Sequence, residues 1–393
     1  MCEKVRIVVA PNSFKKRISA VAVAEVMEQG VLSIFPDAEV IKVPITDGGE
    51  GTIQAFIMAT GGQIITESVF GPLGKPIETY WGILGDGETA VIEMAAASGL
   101  PLVPHEKRNP RITTTFGTGE LIKAALDKGI RKLIIGIGGS ATNDGGMGMA
   151  CALGVKFMDA VGNSLPSGGA ALQQLTTIDV SQMDPRLAET TIVVVCDVDN
   201  PLCGPRGTSN VYGPQKGATD EMIAELDAAL AKFAAIAKKT TGKDVVEYPG
   251  AGAAGGLGAG LMLFTNAELL TGVDIVLEIV NFADIAKDAA FIITGEAHTD
   301  YQTACGKAPV GIAHIGNQYN VPTFCVSGSL GAGYEDVYSS GIAGLMSILP
   351  SSMNVADCMQ NEPELIQSAT QRLCRIIKKS MEIGINKGGK GNR

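Results

Sequence analysis

Between residues 291 and 309 the chain reads FIITGEAHTDYQTACGKAP. An apolar run, 291–294, breaks at Gly295 and is followed within a dozen residues by Glu296, His298, Asp300, Gln302, Thr303 and Lys307. Two carboxylates, an imidazole and a lysine at the end of one strand exceed what a turn requires. Carboxylates can hold a hard cation or take a proton, and a lysine can hold an anion. The plainer alternative is a polar loop with a capping acid. A helix is expected to start near Lys307, with Pro309 tolerated in its first turn.

Such side chains need strands and helices to hold them. Residues 5–10 and 39–43 read as buried strands, with Ser19 capping a helix through about 34 and a second helix over 52–60. This alternation indicates a parallel α/β sheet. From about residue 63 the pattern changes. Segments 64–69 and 77–84 alternate apolar and polar residues like antiparallel strands, and 90–94 is a third run. Further on come a helix at 119–128, a strand at 132–137 and a glycine-punctuated helix at 144–153. A strand at 191–196, a helix at 219–239 capped by Thr219, and a glycine-rich entry at 250–258 into a helix through 264 follow. The opening rhythm returns near 282, with strands at 291–294, 323–327 and 344–349 and helices at 307–319 and 362–383. The expected fold class is α/β in two domains. A Rossmann-like parallel domain uses both chain ends, 1–63 and 288–393, and an α/β domain, 64–287, is inserted, with the active-site cleft between them.

Ligands of open parallel sheets bind outside the carboxyl ends of the strands. That rule gathers Lys15, Asp47, Glu50, Glu296, Asp300 and Lys307 on one rim. The inserted domain adds the loop 136–146, with Gly138, Gly139 and Ser140, and the loop 197–201, with Asp197. The inventory suits phosphoryl transfer: lysines or amides for phosphate, carboxylates for Mg²⁺, and one carboxylate to take the acceptor proton. Gly138-Gly139-Ser140 and Gly117-Thr118-Gly119 are expected to open helices, where amides favour anions. The common phosphate loop is absent, because Gly306-Lys307 is followed by Ala308. Two weak dinucleotide patterns exist, Gly136-x-Gly138-x-x-Ala141 with Asp159, and Gly250-x-Gly252-x-x-Gly255. They alone support a nicotinamide-dependent hydroxy-acid dehydrogenase. Asp159 also reads as a hairpin turn, Glu93 as a paired buried carboxylate, and Lys216 as either solvated or phosphate-binding.

Composition narrows the classes. The 393 residues are 46% apolar and 18% charged, with net charge −10 and 50 glycines, which describes a compact chain. Without a Lys/Arg block it is a poor nucleic-acid binder. Eight scattered cysteines without a Cys-x-x-Cys pair, and three histidines, argue against a zinc site. No apolar stretch reaches membrane-spanning length, and charges interrupt the N-terminal run, so a cytoplasmic location is expected.

The motifs together resemble the type 1 glycerate kinase family of bacteria. They are the segments 10–15, 47–52, 93–99, 117–121, 138–146, 196–201, 212–217 and 250–256, then Thr294-Gly-Glu296, Asp300-x-Gln-Thr303 and Gly306-Lys-Ala-Pro309. The resemblance implies ATP- and Mg²⁺-dependent phosphorylation of D-glycerate at the 2-hydroxyl. Two departures stand out. The family usually has aspartate at Asn12, and Gly-Glu-Gly-Arg-x-Asp where this chain has Gly295-Glu-Ala-His-Thr-Asp300. Lys16-Arg17 also replace a Glu or Gly followed by Ser, so Arg17 either substitutes for the missing arginine or is simply solvated.

The expected roles follow. Asp197 or Asp300 is the base. Asp47 and Glu296 hold Mg²⁺ directly or through water. Lys15, Arg17 and Lys307 hold carboxylate or phosphate oxygens, and Gly138, Gly139 and Ser140 cradle phosphate. Ser13, His298 and Gln302 face the substrate. A non-catalytic sugar-acid-binding paralogue stays open because of Asn12 and His298. Expected partners are D-glycerate and ATP, with no nucleic acid and no membrane; a homodimer is the assembly to test.

Overall fold

The computed structural model describes residues 4–14, 18–45, 51–305, 307–350, 358 and 360–388. Lys15, Arg17, Asp47 and Glu50 lie outside the described residues. The chain packs as two units, Met1–Thr46 with Val273–Arg393, and Asp47–Gly272.

In the first unit β1 (Arg6–Pro11) and β2 (Glu39–Lys42) are joined through the helix Ala20–Leu32. That helix begins where the Ser19 hydroxyl accepts a hydrogen bond from Ala22 N at 3.2 Å, the cap its sequence predicts.

The second unit holds β3 (Gln63–Phe70), β4 (Pro76–Ile83), β5 (Thr89–Glu93), β6 (Lys132–Gly136), β7 (Lys156–Met158), β8 (Thr177–Asp179), β9 (Thr191–Val195) and β10 (Ala267–Leu270). Six of these form one sheet in the order β10-β9-β6-β5-β4-β3, and β7 pairs with β8 alone. β3 and β4 are antiparallel, as their alternation predicts. β5 is where the sheet changes character, antiparallel to β4 and parallel to β6. The helix Thr52–Thr60 packs here, with Ile53 and Ile57 against Gly82 of β4. It therefore falls with the second unit, although the sequence pattern changes only after it.

The first unit resumes with the helices Gly272–Ile279 and Phe282–Ala286, then β11 (Phe291–Glu296), β12 (Thr323–Ser327) and β13 (Ile342–Ser347). Its five strands run parallel in the order β13-β12-β11-β1-β2. Ile7 and Val9 of β1 and Phe291 and Ile293 of β11 join one buried cluster with the helices Ala20–Leu32 and Glu362–Gly388. Cys325 and Ile342 turn to a second cluster with Ala313 of the helix Ala308–Gln318. Chain order runs outward in both directions from β1 and β11. That reversal leaves a crevice at the carboxyl ends of these two strands.

Candidate active site

At the β1/β11 crevice the first unit brings its polar loops together. Asn12 N donates to Gly295 O at 2.8 Å, so the segment after β1 leaves beside Glu296. Ser13 is half-buried there, its amide donating to Asn12 Oδ1 at 2.7 Å.

Glu296 ends β11 and is 9% exposed. Its Oε2 accepts from Thr303 Oγ1 at 3.1 Å, and its Oε1 lies 3.8 Å from Lys307 Nζ. Burial pushes this carboxyl above the usual range. The Lys307 cation and the Thr303 hydroxyl pull it back, and the Asp300 charge adds to the rise.

Asp300 Oδ1 accepts from Gln302 N at 3.0 Å and lies 3.8 Å from the same Lys307 Nζ. Its Oδ2 is 3.7 Å from His298 Nε2. Thr303 links the two acids, since its hydroxyl also accepts from Asp300 N at 3.2 Å. Lys307 holds its place because it caps the helix Ala308–Gln318 in an extended conformation, with proline in the first turn. Its side chain is 41% exposed.

His298 Nδ1 shares a 2.8 Å hydrogen bond with Ser329 Oγ in the loop after β12. The loops are pinned together beneath it: Thr299 Oγ1 donates to Ser327 Oγ at 2.8 Å, and Ser327 Oγ donates to Ser329 O at 2.8 Å. The Gln302 side chain is exposed and turns to Tyr301 Oη, 3.3 Å away, rather than to the carboxylates. Glu296, Asp300, Lys307 and His298 are thus gathered as the sequence suggests. Thr303 and Ser329 are supports to which no role was assigned, although both lie in segments that the sequence marks as polar.

In the second unit the predicted residues also follow parallel strands. Asp197, after β9, is exposed, and its Oδ1 accepts from Gly272 N at 2.8 Å. Gly138, Gly139 and Ser140 follow β6 but do not open a helix. The helix there is only Met147–Ala152, because Gly145 and Gly146 sit at φ +64 and +77 and break the expected 144–153 span. Gly139 is exposed at φ +75, and Ser140 is buried beside Gly99. Gly117 and Gly119 lie inside the helix Phe116–Asp127, where an added Cβ would come within 2.0 Å of Phe70 O and 2.3 Å of Met149 O. These two glycines serve close packing.

Glu93 is buried, and its Oε1 accepts from Ile53 N at 2.8 Å. It caps the helix Thr52–Thr60, whose own N-cap, Gly51, has no side chain. Asp159 closes a turn by accepting from Val161 N and Asn163 N, each at 2.9 Å.

Lys216 is neither solvated nor on the surface. It is 2% exposed and donates from Nζ to Thr142 O at 2.7 Å. Burial pushes its pKa down to about 7, with the Asp144 charge pulling it back up. Asp144 is fully buried and carries four donors: Thr115 N and Thr115 Oγ1 at 2.9 Å, Gly146 N and Gly148 N at 3.2 Å. Burial raises its carboxyl, and these hydrogen bonds oppose the rise.

Among the described residues no three His, Cys, Asp or Glu side chains stand together as a metal-binding group. Glu296 and Asp300 are nonetheless hard oxygen donors sharing one cation, Lys307. Mg²⁺ commonly takes one or two carboxylates beside waters and phosphate, so this pair fits it. No helix among the described residues is long and apolar enough to cross a membrane.

A parallel and a mixed sheet, each with polar side chains just past the carboxyl ends of parallel strands, define a protein of the α/β class. Residues 7–378 match the model of the glycerate kinase family. The chain is 50% identical to a glycerate kinase of Bacillus subtilis, over 95% of this chain and 98% of the relative. It is 48% identical to the glycerate 2-kinase of Escherichia coli, over 98% of this chain and 100% of the relative. A solved structure of a protein described as glycerate kinase 2, from Salmonella typhimurium, superposes with a TM-score of 0.86 at 44% identity, covering 97% of this chain and 100% of that one. The chain belongs to the glycerate kinase family and is an enzyme of that kind.

Proposed function

We propose that the chain transfers the γ-phosphoryl group of ATP to the 2-hydroxyl of D-glycerate, giving 2-phosphoglycerate and ADP. The observation that supports this most is the single lysine, Lys307, standing 3.8 Å from both Glu296 and Asp300 at the β1/β11 crevice. The relatives' names supply the substrate class.

Asp300 or Asp197 accepts the hydroxyl proton as the substrate oxygen attacks phosphorus, and the bond to ADP breaks. Lys307 holds phosphate or carboxylate oxygens as a mobile point charge. Glu296 would hold Mg²⁺, which when bound would neutralise phosphate charge. The main-chain amides at Gly138, Gly139 and Ser140 cradle phosphate. Ser13, Arg17, Lys15, His298 and Gln302 orient the acid.

ADP release with D-glycerate and with other hydroxy acids, beside NADH absorbance, tests the reading. D-glycerate-dependent ADP release is expected, without NADH change. Substrate binding without ADP release would replace it with a non-catalytic binder. Loss of the base costs on the order of 10²–10⁴ in kcat, so Asp300→Asn and Asp197→Asn separate the two candidates.

A further inference from the structure

The loop leaving β6 is held by neutral hydrogen bonds at most of its length. Thr113 Oγ1 donates to Ala141 O at 2.8 Å, and Ala141 N donates to Ser98 O at 3.0 Å. Asn143 Nδ2 donates to Ser209 Oγ at 2.9 Å, and Gly145 N to Gly255 O at 3.0 Å. The Thr142 carbonyl is different. It takes its 2.7 Å hydrogen bond from Lys216 Nζ, in a place where that side chain is sealed from solvent.

The backbone around both partners is built for this contact. Lys216 ends the turn Pro214–Lys216, and the next residue, Gly217, sits at φ +87 against Arg108 O. Beside Thr142, residues Ala254, Gly255 and Gly256 adopt left-handed φ values of 55, 73 and 86. A Cβ on Gly255 would come within 1.9 Å of Thr142 O. Ala254 holds a conformation that disfavours a side chain, and such conformations persist only where surroundings impose them.

A buried ammonium carries a desolvation penalty that a methionine of similar length lacks. Filling space does not call for it. A hydrogen-bond donor aimed at one carbonyl does. The far side of the same loop is tied by Leu100 N donating to Gly139 O at 2.8 Å, which with the Ala141 bond forms the bridge between Gly99 and Ser140.

We propose that Lys216 is a positioning residue for phosphoryl transfer: by fixing the Thr142 carbonyl it sets the direction of the amides at Gly138, Gly139 and Ser140. This rests on the reading of those three residues as the phosphate cradle. Lys216 touches no reacting atom in this role. It acts through the loop.

Lys216→Met keeps the length and removes the donor and the charge. The KM for ATP is expected to rise about tenfold or more, since small misplacements of binding groups carry effects of that order. The KM for D-glycerate is expected to stay within about twofold. A lysine that only supports the fold would lower the active fraction, hence Vmax, and leave the KM for ATP unchanged; that result overturns the proposal. Lys216→Gln restores a donor and is expected to recover part of the ATP affinity. It also supplies the KM comparison should the methionine variant not fold. Gly139→Ala, strained at its positive φ, tests the cradle itself. A higher KM for ATP in Gly139→Ala but not in Lys216→Met removes the positioning role alone. No rise in either variant removes the cradle reading as well.

Discussion

The loops after β11 and β6 each meet a lysine with a carboxylate and use the two in opposite ways. Each leaves a parallel strand, and each sets carboxylate chemistry beside a lysine. After β11, Lys307 is 41% exposed and loosely shared between Glu296 and Asp300. After β6, Asp144 is fully buried under four hydrogen bonds, and Lys216 is 2% exposed. A lysine 41% exposed and 3.8 Å from each acid is loosely held, so it can take new partners when a ligand arrives. Sealed groups have no such freedom, and removing one leaves its neighbours unsatisfied. One loop is an open rim and the other an internal brace. Burial, more than residue type, separates them.

The contrast would break most visibly at Asp144. Asp144→Ala is expected to lower the unfolding free energy by about 3–5 kcal/mol in urea denaturation, because four buried donors lose their acceptor. A loss below about 1 kcal/mol would mean that the carboxylate is no brace.

Lys307→Met should do the reverse. Unfolding free energy is expected to stay within about 0.5 kcal/mol of the wild type. Steady-state kinetics should show kcat/KM falling on the order of 10²-fold. Matching losses in stability and activity would erase the distinction between rim and brace.

Glu296→Gln sharpens the comparison at its smallest scale. Burial lifts this carboxyl above its ordinary value of 4.5, so the folded chain keeps the proton to higher pH than the unfolded chain does. Its stabilising contribution is therefore complete below the unfolded value and is lost as pH rises through the folded one. Once ionised, the group is a net penalty. The glutamine variant is expected to be the more stable protein at pH 7, by less than about 1 kcal/mol, while losing activity. The gain should shrink as pH falls toward 4.5. Chemical denaturation at the two pH values measures it, and a gain independent of pH would refute the assignment.

Local signals carried much of the fold. Ser19 and Thr219 cap the helices their positions announce, with Thr219 Oγ1 accepting from Met222 N at 3.4 Å. The apolar runs at 132–137, 191–196 and 323–327 became parallel strands within a residue of their expected limits. The gathering of Glu296, Asp300 and Lys307 was legible too, because one strand, one turn and one helix start place all three. Other features depend on contacts that sequence spacing does not encode. Glu93 caps a helix 40 residues away, so its partner is set by sheet packing. Lys216 reads as a loop lysine because nothing beside it in sequence announces that Thr142 O will cover it. Gly145 and Gly146 delayed the start of a helix because paired left-handed residues override an otherwise suitable helical pattern. The helix Thr52–Thr60 joined the second unit because Ile53 and Ile57 found Gly82, a tertiary event.

The pairing of β1 with β11 has a consequence for how the chain is made. Thr294 Oγ1 donates to Ala10 O across 284 positions of sequence. β1 leaves a ribosome well before its inner neighbour β11 does. Every strand of the six-stranded sheet is synthesised in between. That sheet can assemble from a continuous stretch, while β1 waits with one edge unpaired and its apolar face only partly covered. An open, apolar strand edge invites pairing with other chains. The first unit is thus the one whose completion waits until the second has been made, and during synthesis it is the part most in need of protection.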